Sequence, residues 1–163
     1  IRLTKTGASA RRLNQMLDHF GSPQAIFDAG PSSVAEAVGC RRDVAERLLD
    51  PEYAAHRRDL ELMERLDVRL VPRDHPEYPG PLREISDPPV ALYVRGTLAT
   101  EDRRAVAIVG SRRATEYGKQ VAARFARELV KAGFTVVSGL ARGTDTAAHW
   151  SALKEGGRTL ACL

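Results

Sequence analysis

The sequence predicts an α/β fold built on a parallel sheet, with a small all-helical region in front of it. Two short apolar runs, residues 106–109 and 134–137, flank a long helical pattern at about 117–132. Each run ends in a glycine-containing turn, and a second helical pattern begins at about residue 144. This order of strand, turn and helix, repeated once, is typical of a βαβ unit whose strands lie parallel in one sheet.

Short helices are predicted for the first part of the chain. Apolar residues recur there at helical spacing. Gly21 and Pro23 end the first helix, and Ser22 is suited to cap the next one. The predicted helices cover residues 10–20, 23–29, 34–38, 43–49 and 51–66. The last of these joins two predicted domains, a helical domain of residues 1–62 and an α/β domain of residues 63–163.

The second domain is predicted to begin with two strands, at 68–71 and 90–94, and to reach a further strand at 158–163. Between the first two lies a segment, 72–89, that contains six of the nine prolines. Because proline fixes φ, this segment is predicted to be an ordered, extended loop.

The helix at 117–132 is amphipathic, and its position in the βαβ unit requires one face to lie on the sheet. Val121, Phe125 and Leu129 fall on one line, with Ala122 and Ala126 beside it, and these residues are predicted to form that packed face. Thr115 precedes the helix and is suited to its N-cap.

The turns that end the two apolar runs are candidate binding elements. Both leave the carboxyl ends of parallel strands, the edge at which ligands bind in open α/β sheets. Their glycines permit close approach, their hydroxyls and the following helix N-termini favour an anion, and their arginines suit bidentate phosphate binding. The candidate phosphate-binding residues are Gly110, Ser111, Arg112, Arg113, Ser138, Gly139 and Arg142. The alternative is that the glycines only shape tight turns and the arginines are solvated.

The charge distribution points to a polyanion as the ligand. Residues 1–66 hold ten basic and ten acidic side chains, so the net charge of +4 comes from the remainder. Residues 103–131 alone carry eight basic and two acidic side chains, and they surround the first turn. A basic patch beside phosphate-binding turns favours a nucleic acid over a small neutral substrate. The alternative is a solvated helix with a charged face.

Other chemistries find little support in the sequence. Cys40 and Cys162 have no paired spacing, which predicts neither a disulfide framework nor a zinc site and fits a reducing cytosol. No apolar run approaches the ~20 residues needed to cross a bilayer. Asp145 and His149 are four residues apart, yet a helix N-terminal carboxylate and a satisfied histidine are favoured over a catalytic couple. No catalytic residue, metal or cofactor is expected.

Residues 106–163 carry a set of motifs that resembles the DprA/Smf family of DNA-processing proteins. The matching segments are residues 106–112, 117–118, 133, 136–143, 145–149, 152–153, 156–157 and 159. Shorter upstream matches are residues 76–79, 82, 87–89 and 92–93. The resemblance spans nearly the whole chain, and it implies an extended Rossmann-like domain, truncated here within its sheet.

The resemblance also implies a function. Family members bind single-stranded DNA, protect incoming strands, load the RecA recombinase in natural transformation and recombination, and form homodimers through the Rossmann domain. They act in the cytoplasm without catalysis or a cofactor. Arg112, with Gly110 and Ser111, corresponds to the basic DNA pocket, Ser138 and Gly139 to its second turn, and Arg142 to a position that is usually basic.

The helical region resembles a tandem helix-hairpin-helix, or SAM-like, domain in residues 6–13, 20–22 and 38–45. Family hairpins carry two glycines around the DNA phosphate, and here Ser9 and Arg41 occupy the second glycine position. Because positive φ is costly for these residues, a docking or interaction module is favoured over direct DNA contact.

Two other functions remain as alternatives. One is a nucleotide-hydrolysing enzyme of the related LOG-type Rossmann family, whose Pro-Gly-Gly-x-Gly-Thr motif is expected to lie beyond the last residue of this sequence and does not occur in it. The other is an interaction scaffold whose main working part is the helical domain.

Overall fold

The computed structural model describes residues 3–5, 8–50 and 56–163. The chain divides into two compact units, Ile1–Thr97 and Leu98–Leu163. The predicted domain boundary at residues 62 and 63 lies inside the first unit and stays a prediction. Within the described ranges, no helix is both long and apolar enough to span a bilayer.

The first unit combines short helices with a two-stranded antiparallel sheet. Its helices are α1 (Ala10–Phe20), α2 (Pro23–Val38), α3 (Arg42–Leu49), α4 (His56–Arg65) and the single turn α5 (Gly80–Arg83). Its strands are β1 (Val68–Pro72) and β2 (Ala91–Arg95). The start of the predicted helix at 51–66 falls on residues 51–55, outside the described residues.

The predicted helix pattern of the first unit is largely confirmed. Gly30, with φ 77° and ψ 166°, breaks α2 into two helical segments, as the separate predictions at 23–29 and 34–38 require. Ser22 caps α2 by accepting a hydrogen bond from the amide of Ala25 at 3.1 Å. Met16, Ile26 and Val34 are fully buried and form the centre of the helical core.

The expected cost of positive φ at Ser9 and Arg41 is not present. Ser9 has φ −62° and Arg41 has φ −70°, and both stand as extended N-cap residues, of α1 and α3 respectively. The Ser9 hydroxyl accepts a hydrogen bond from the amide of Arg12. These residues therefore start helices rather than occupy a glycine-like turn.

The proline segment is ordered, as predicted, but it is not extended throughout, because residues 80–83 form the helical turn α5. Tyr78 is buried and its hydroxyl donates to the carbonyl of Pro89 at 2.7 Å. Burial raises the pKa of Tyr78, with a smaller opposing effect from two nearby arginines. Asn14, buried on α1, donates to the carbonyl of Pro88 at 2.7 Å, so the segment is anchored to the helices of its own unit.

The second unit confirms the predicted α/β fold class. It consists of β3 (Ala105–Ala107), α6 (Glu116–Lys131), β4 (Thr135–Ser138), α7 (Thr144–Lys154) and β5 (Thr159–Ala161). The three strands are parallel in the order β3-β4-β5. Helices α6 and α7 pack against each other and both contact β4, so they lie on the same face of the sheet. Right-handed crossovers in one direction produce this arrangement.

The packed face predicted for α6 is confirmed at its alanines and at Leu129, but it is wrong at Phe125. Ala122 and Ala126 are buried, whereas Phe125 is 62% exposed. Ala126 packs with Ala148 and Ala152 of α7, and all three are fully buried. Small side chains let the two helices and the sheet approach closely, so α6 turns its alanines inward and its aromatic rings outward.

Strand β3 leaves its second face exposed. Along residues 105–109 the alternation puts Ala105, Ala107 and Val109 in solvent, while Val106 and Ile108 are half-buried. Val109 is 77% exposed. The helices α6 and α7 therefore cover one side of the described sheet.

Asp102 connects the beginnings of the strands in the second unit. Its carboxylate accepts two hydrogen bonds from Arg158, at 2.5 and 2.7 Å, immediately before β5. It also accepts from the hydroxyl of Thr135 on β4 at 3.1 Å and from the amide of Ala99 at 2.8 Å. Burial raises the pKa of Asp102, but these hydrogen bonds outweigh it, and the net pKa lies below the usual value.

Replacing Asp102 with Asn is expected to lower the free energy of unfolding at pH 7 by about 1–3 kcal/mol, because charge-assisted hydrogen bonds are lost in a largely buried place. A carboxyl whose pKa is depressed by folding stabilises the protein above the unfolded pKa of about 3.9. The difference between wild type and Asp102→Asn should therefore narrow as the pH falls below about 4. Urea unfolding at several pH values measures it.

Glu128→Gln is the matched control, since Glu128 pairs with Lys131 on the exposed surface of the same unit. Its free energy of unfolding should fall by less than about 0.5 kcal/mol at every pH. If both variants lose the same free energy of unfolding, the hydrogen bonds of Asp102 stabilise the fold no more than an exposed ion pair does.

Candidate nucleic-acid interface

Two corners at the carboxyl ends of β3 and β4 form the candidate site. We call residues 110–113 the first corner and residues 138–143 the second corner. The strands that lead into them are joined by the amide of Ile108, which donates to the carbonyl of Val137 at 2.9 Å. The hydroxyl of Ser138 donates back to the carbonyl of Ile108 at 2.6 Å. The two corners therefore start from adjacent, hydrogen-bonded strands, as the sequence predicted.

The corners contact each other through Gly143. This residue has φ 87° and ψ −122°, a conformation that essentially only glycine adopts. A Cβ atom at Gly143 would clash with the carbonyl oxygen of Ser111 and lie 2.8 Å from that of Arg112. The backbone of the second corner thus lies directly against the backbone of the first.

Thr144 closes the same contact from the start of α7. Its amide and its hydroxyl both donate to the carbonyl of Ser111, at 3.2 and 3.3 Å. A Cβ atom at Gly110 would lie 2.9 Å from the Cβ of Thr144, so glycine is required on the first corner as well. The sequence shows a glycine immediately before the predicted helix at residue 144. It did not show that Gly143 and Thr144 contact the first corner.

The second corner is built around an internal carboxylate. Asp145, buried on α7, accepts hydrogen bonds from the amides of Gly139 and Ala141 at 3.1 and 3.4 Å. Leu140 between them has φ 54°, a left-handed conformation that costs a non-glycine residue about 1–2 kcal/mol. The two hydrogen bonds to Asp145 stabilise this turn.

This arrangement uses groups that the sequence assigned to the ligand. Ser138 is 2% exposed, and its hydroxyl is bonded to Ile108. The amide of Gly139 is bonded to Asp145. Direct phosphate contact by Ser138 and Gly139 stays a prediction, while in the structure both residues support the shape of the second corner.

The exposed groups of the site are mainly cationic. Arg112 and Arg113 of the first corner and Arg142 of the second corner are all exposed. Ser111 is exposed too, and its hydroxyl accepts a hydrogen bond from the amide of Arg113 at 3.0 Å, which leaves the hydroxyl proton to donate. Three exposed arginines and one exposed serine therefore belong to the two corners that meet at Gly143.

Helix α6 begins directly beside the first corner. Its predicted N-cap is confirmed, because the hydroxyl of Thr115 accepts from the amide of Gly118 at 3.1 Å. The N-terminal end of a helix carries a partial positive charge, which adds to that of the arginines. The position therefore suits an anionic ligand.

Asp145 and His149 do not form a couple, since each has its own partners. His149 is buried, and its Nδ1 lies 2.7 Å from the hydroxyl of Thr159. That hydroxyl donates to the carbonyl of Val136 at 2.8 Å, so it accepts from His149, and Nδ1 carries the proton. The favoured interpretation of Asp145 as a carboxylate at the helix start is confirmed. The histidine is only partly satisfied, because Nε2 has no hydrogen-bond partner in the described structure.

The described residues do not bring together a metal-binding group. Among residues 3–5, 8–50 and 56–163, no three or more His, Cys, Asp or Glu side chains are placed to hold an ion. The exposed functional groups at the two corners are therefore guanidinium groups, a hydroxyl and a helix N-terminus.

Comparison with known proteins identifies the family. Residues 69–163 match the sequence model of the family described as DNA recombination-mediator protein A. The chain belongs to this family. The matched range contains both corners and all seven residues of the predicted site.

Individual DprA/Smf relatives agree with this family. The chain is 33% identical to the protein Smf of Synechocystis over 156 residues, which are 93% of this chain and 39% of the relative. It is 38% identical to the DNA processing protein DprA of Bacillus subtilis over 98 residues, 59% of this chain and 33% of the relative. The chain thus spans less than half the length of these two relatives.

A solved structure extends the DprA likeness to the helical region. The X-ray structure of DNA processing protein A from Streptococcus pneumoniae aligns with a TM-score of 0.73 and 30% sequence identity. The alignment covers 98% of this chain and 54% of that one. The order of a helical region followed by an α/β region is therefore shared with that structure.

Replacing Gly143 with Ala should lower the free energy of unfolding by at least about 3 kcal/mol, because it adds backbone strain and a clash with the first corner. Gly156→Ala is the matched control. Gly156 also has positive φ, at 74°, but a Cβ atom there meets nothing within 4 Å. The control should lose about 1–2 kcal/mol, the cost of the left-handed conformation. Urea unfolding compares the two, and similar losses would contradict the proposed contact between corners.

Proposed function

We propose that this protein binds single-stranded DNA at the two corners, as a DNA-processing protein of the DprA type. The observation that carries the proposal is the exposure of Arg112, Arg113 and Arg142 around one backbone contact between adjacent corners. Guanidinium groups bind phosphate oxygens through two parallel hydrogen bonds, so a sugar-phosphate backbone is a suitable ligand.

The surrounding charge supports a polyanion. Residues 103–131 hold eight basic and two acidic side chains. One of those acidic residues, Glu116, pairs with Lys119 at 2.7 Å, and the other, Glu128, pairs with Lys131 at 3.2 Å. Both carboxylates therefore pair with lysines of α6 and not with the arginines of the first corner. Because phosphates carry no base information, such binding is tolerant of sequence.

The rest of the proposal concerns the whole protein. We infer that it protects incoming single strands, loads the RecA recombinase onto them in natural transformation and recombination, and forms a homodimer through its Rossmann-like domain. The family description as a recombination mediator and the relatives named DNA processing protein support this role. The described cysteines, Cys40 and Cys162, are free, which fits the proposed cytoplasmic location. The proposal contains no catalytic step, because Asp145 and His149 are held in separate hydrogen bonds.

Replacing Arg112 with Ala is expected to weaken binding to a single-stranded oligonucleotide about tenfold or more, since one charge-assisted hydrogen bond contributes about 1.5–3 kcal/mol. The slope of log affinity against log salt concentration should fall in magnitude by about 0.7. Fluorescence anisotropy across a salt series measures both quantities.

Arg124→Ala is the matched control. It removes the same charge from the exposed surface of α6, about two turns beyond the first corner. We expect its affinity to stay within about twofold of wild type, as for a distant charge screened by salt. Equal losses in the two variants would indicate a diffuse charge effect, and an unchanged affinity in Arg112→Ala would remove the first corner from the site.

RecA loading is tested separately. The intact protein should accelerate the ATPase activity of RecA on single strands that are already covered by a single-strand binding protein. Arg112→Ala should reduce this acceleration in proportion to its loss of DNA affinity. If the wild-type protein binds the oligonucleotide but leaves the RecA rate unchanged, DNA binding stands and recombinase loading fails.

A further inference from the structure

Tyr117 is an exposed aromatic residue beside the first corner. It is the second residue of α6, five positions after Arg112, and it is 77% exposed. The buried line of α6 runs through Ala122 and Ala126, so Tyr117 contributes little to the core. Its ring is therefore accessible to a ligand, close in the chain to the exposed arginines of the first corner.

The backbone of Tyr117 is held firmly. Thr115 caps the helix by accepting from the amide of Gly118 at 3.1 Å, and its carbonyl accepts from the amide of Lys119 at 3.0 Å. These bonds enclose Tyr117 within the first helical turn, about 3 Å along the helix axis from the cap. A tyrosine has only two side-chain torsions, so it can present a rigid surface at low entropic cost.

We propose that Tyr117 is the base-stacking platform of the DNA site. In this arrangement, one base of the strand lies on the Tyr117 ring, while Arg112 and Arg113 hold the neighbouring phosphates. The inference rests on the proposed function and adds a second class of contact to it. Stacking accepts any base, so it raises affinity without adding sequence preference. It also favours single strands, because bases in a duplex already stack on each other.

The same helix contains a natural control for this proposal. Phe125 is also exposed, at 62%, and lies eight residues further along α6. That spacing corresponds to about 12 Å along the helix axis. Phe125 therefore has the aromatic character of Tyr117 without its position at the corner.

The experiment compares two ligands of equal length and charge, an oligothymidylate and an abasic oligonucleotide that retains the sugar-phosphate backbone. Fluorescence anisotropy measures the affinity of the intact protein for each. Wild type should prefer the oligothymidylate. Tyr117→Ala should weaken binding to the oligothymidylate by about five- to 160-fold, the range for one base–aromatic stack. Its affinity for the abasic ligand should stay within about twofold of wild type.

Two further variants define the chemistry. Tyr117→Phe retains the ring and loses the hydroxyl, so it should bind both ligands as wild type does. Phe125→Ala should also leave both affinities within about twofold of wild type, as for a surface residue outside the site. A loss in Tyr117→Phe equal to that in Tyr117→Ala would assign the effect to the hydroxyl and overturn stacking.

The two proposals fail in distinguishable ways. If Tyr117→Ala lowers the affinity for both ligands equally, or changes neither affinity, Tyr117 is not a stacking residue. If wild type binds the abasic ligand as tightly as the oligothymidylate, stacking contributes nothing. If Arg112→Ala leaves the affinity for both ligands unchanged, the phosphate site itself fails. A loss in Arg112→Ala on both ligands, combined with no effect of Tyr117→Ala, overturns the stacking proposal alone.

Discussion

The contact of Gly143 with the backbone of Ser111 and Arg112 is the constraint on which the candidate site depends. It leaves no space for a side chain, so the two corners have one relative position. Thr144 reinforces it with two hydrogen bonds to the carbonyl of Ser111. The guanidinium groups on either side therefore extend from a common, rigid backbone, although they are thirty residues apart in sequence.

Buried polar groups maintain this geometry from both ends of the strands. Asp145 holds the amides of the second corner, and Asp102 joins the beginnings of β4 and β5 through Thr135 and Arg158. A third connection runs from His149 on α7 through the hydroxyl of Thr159 to β4. Each of these side chains links elements that are distant in the chain. These links hold the helices in place on a small sheet with short strands.

Small residues of α6 and α7 form the packed interface between the two helices, and the large aromatic residues of α6 lie outside it. Alanines of α6 and α7 bring the two helices close together, and as a result Tyr117 and Phe125 face solvent. An amphipathic pattern alone suggested the opposite orientation for Phe125. The close approach of the helices, made possible by Ala126, Ala148 and Ala152, is the reason the larger rings are displaced from the interface.

Local patterns in the chain predicted the parallel βαβ order, the helix caps at Ser22 and Thr115, and the adjacency of the two glycine corners. These features depend on interactions within a few residues, or on the rule that parallel strands end at the same edge. Long-range contacts were not accessible in this way. The exposure of Phe125 on α6, the bonding of Ser138 and Gly139 within the chain and the bridge from Asp102 to Arg158 each depend on which distant side chain lies alongside. Only folding brings such partners together, because their spacing in sequence carries no trace of the distance between them in space.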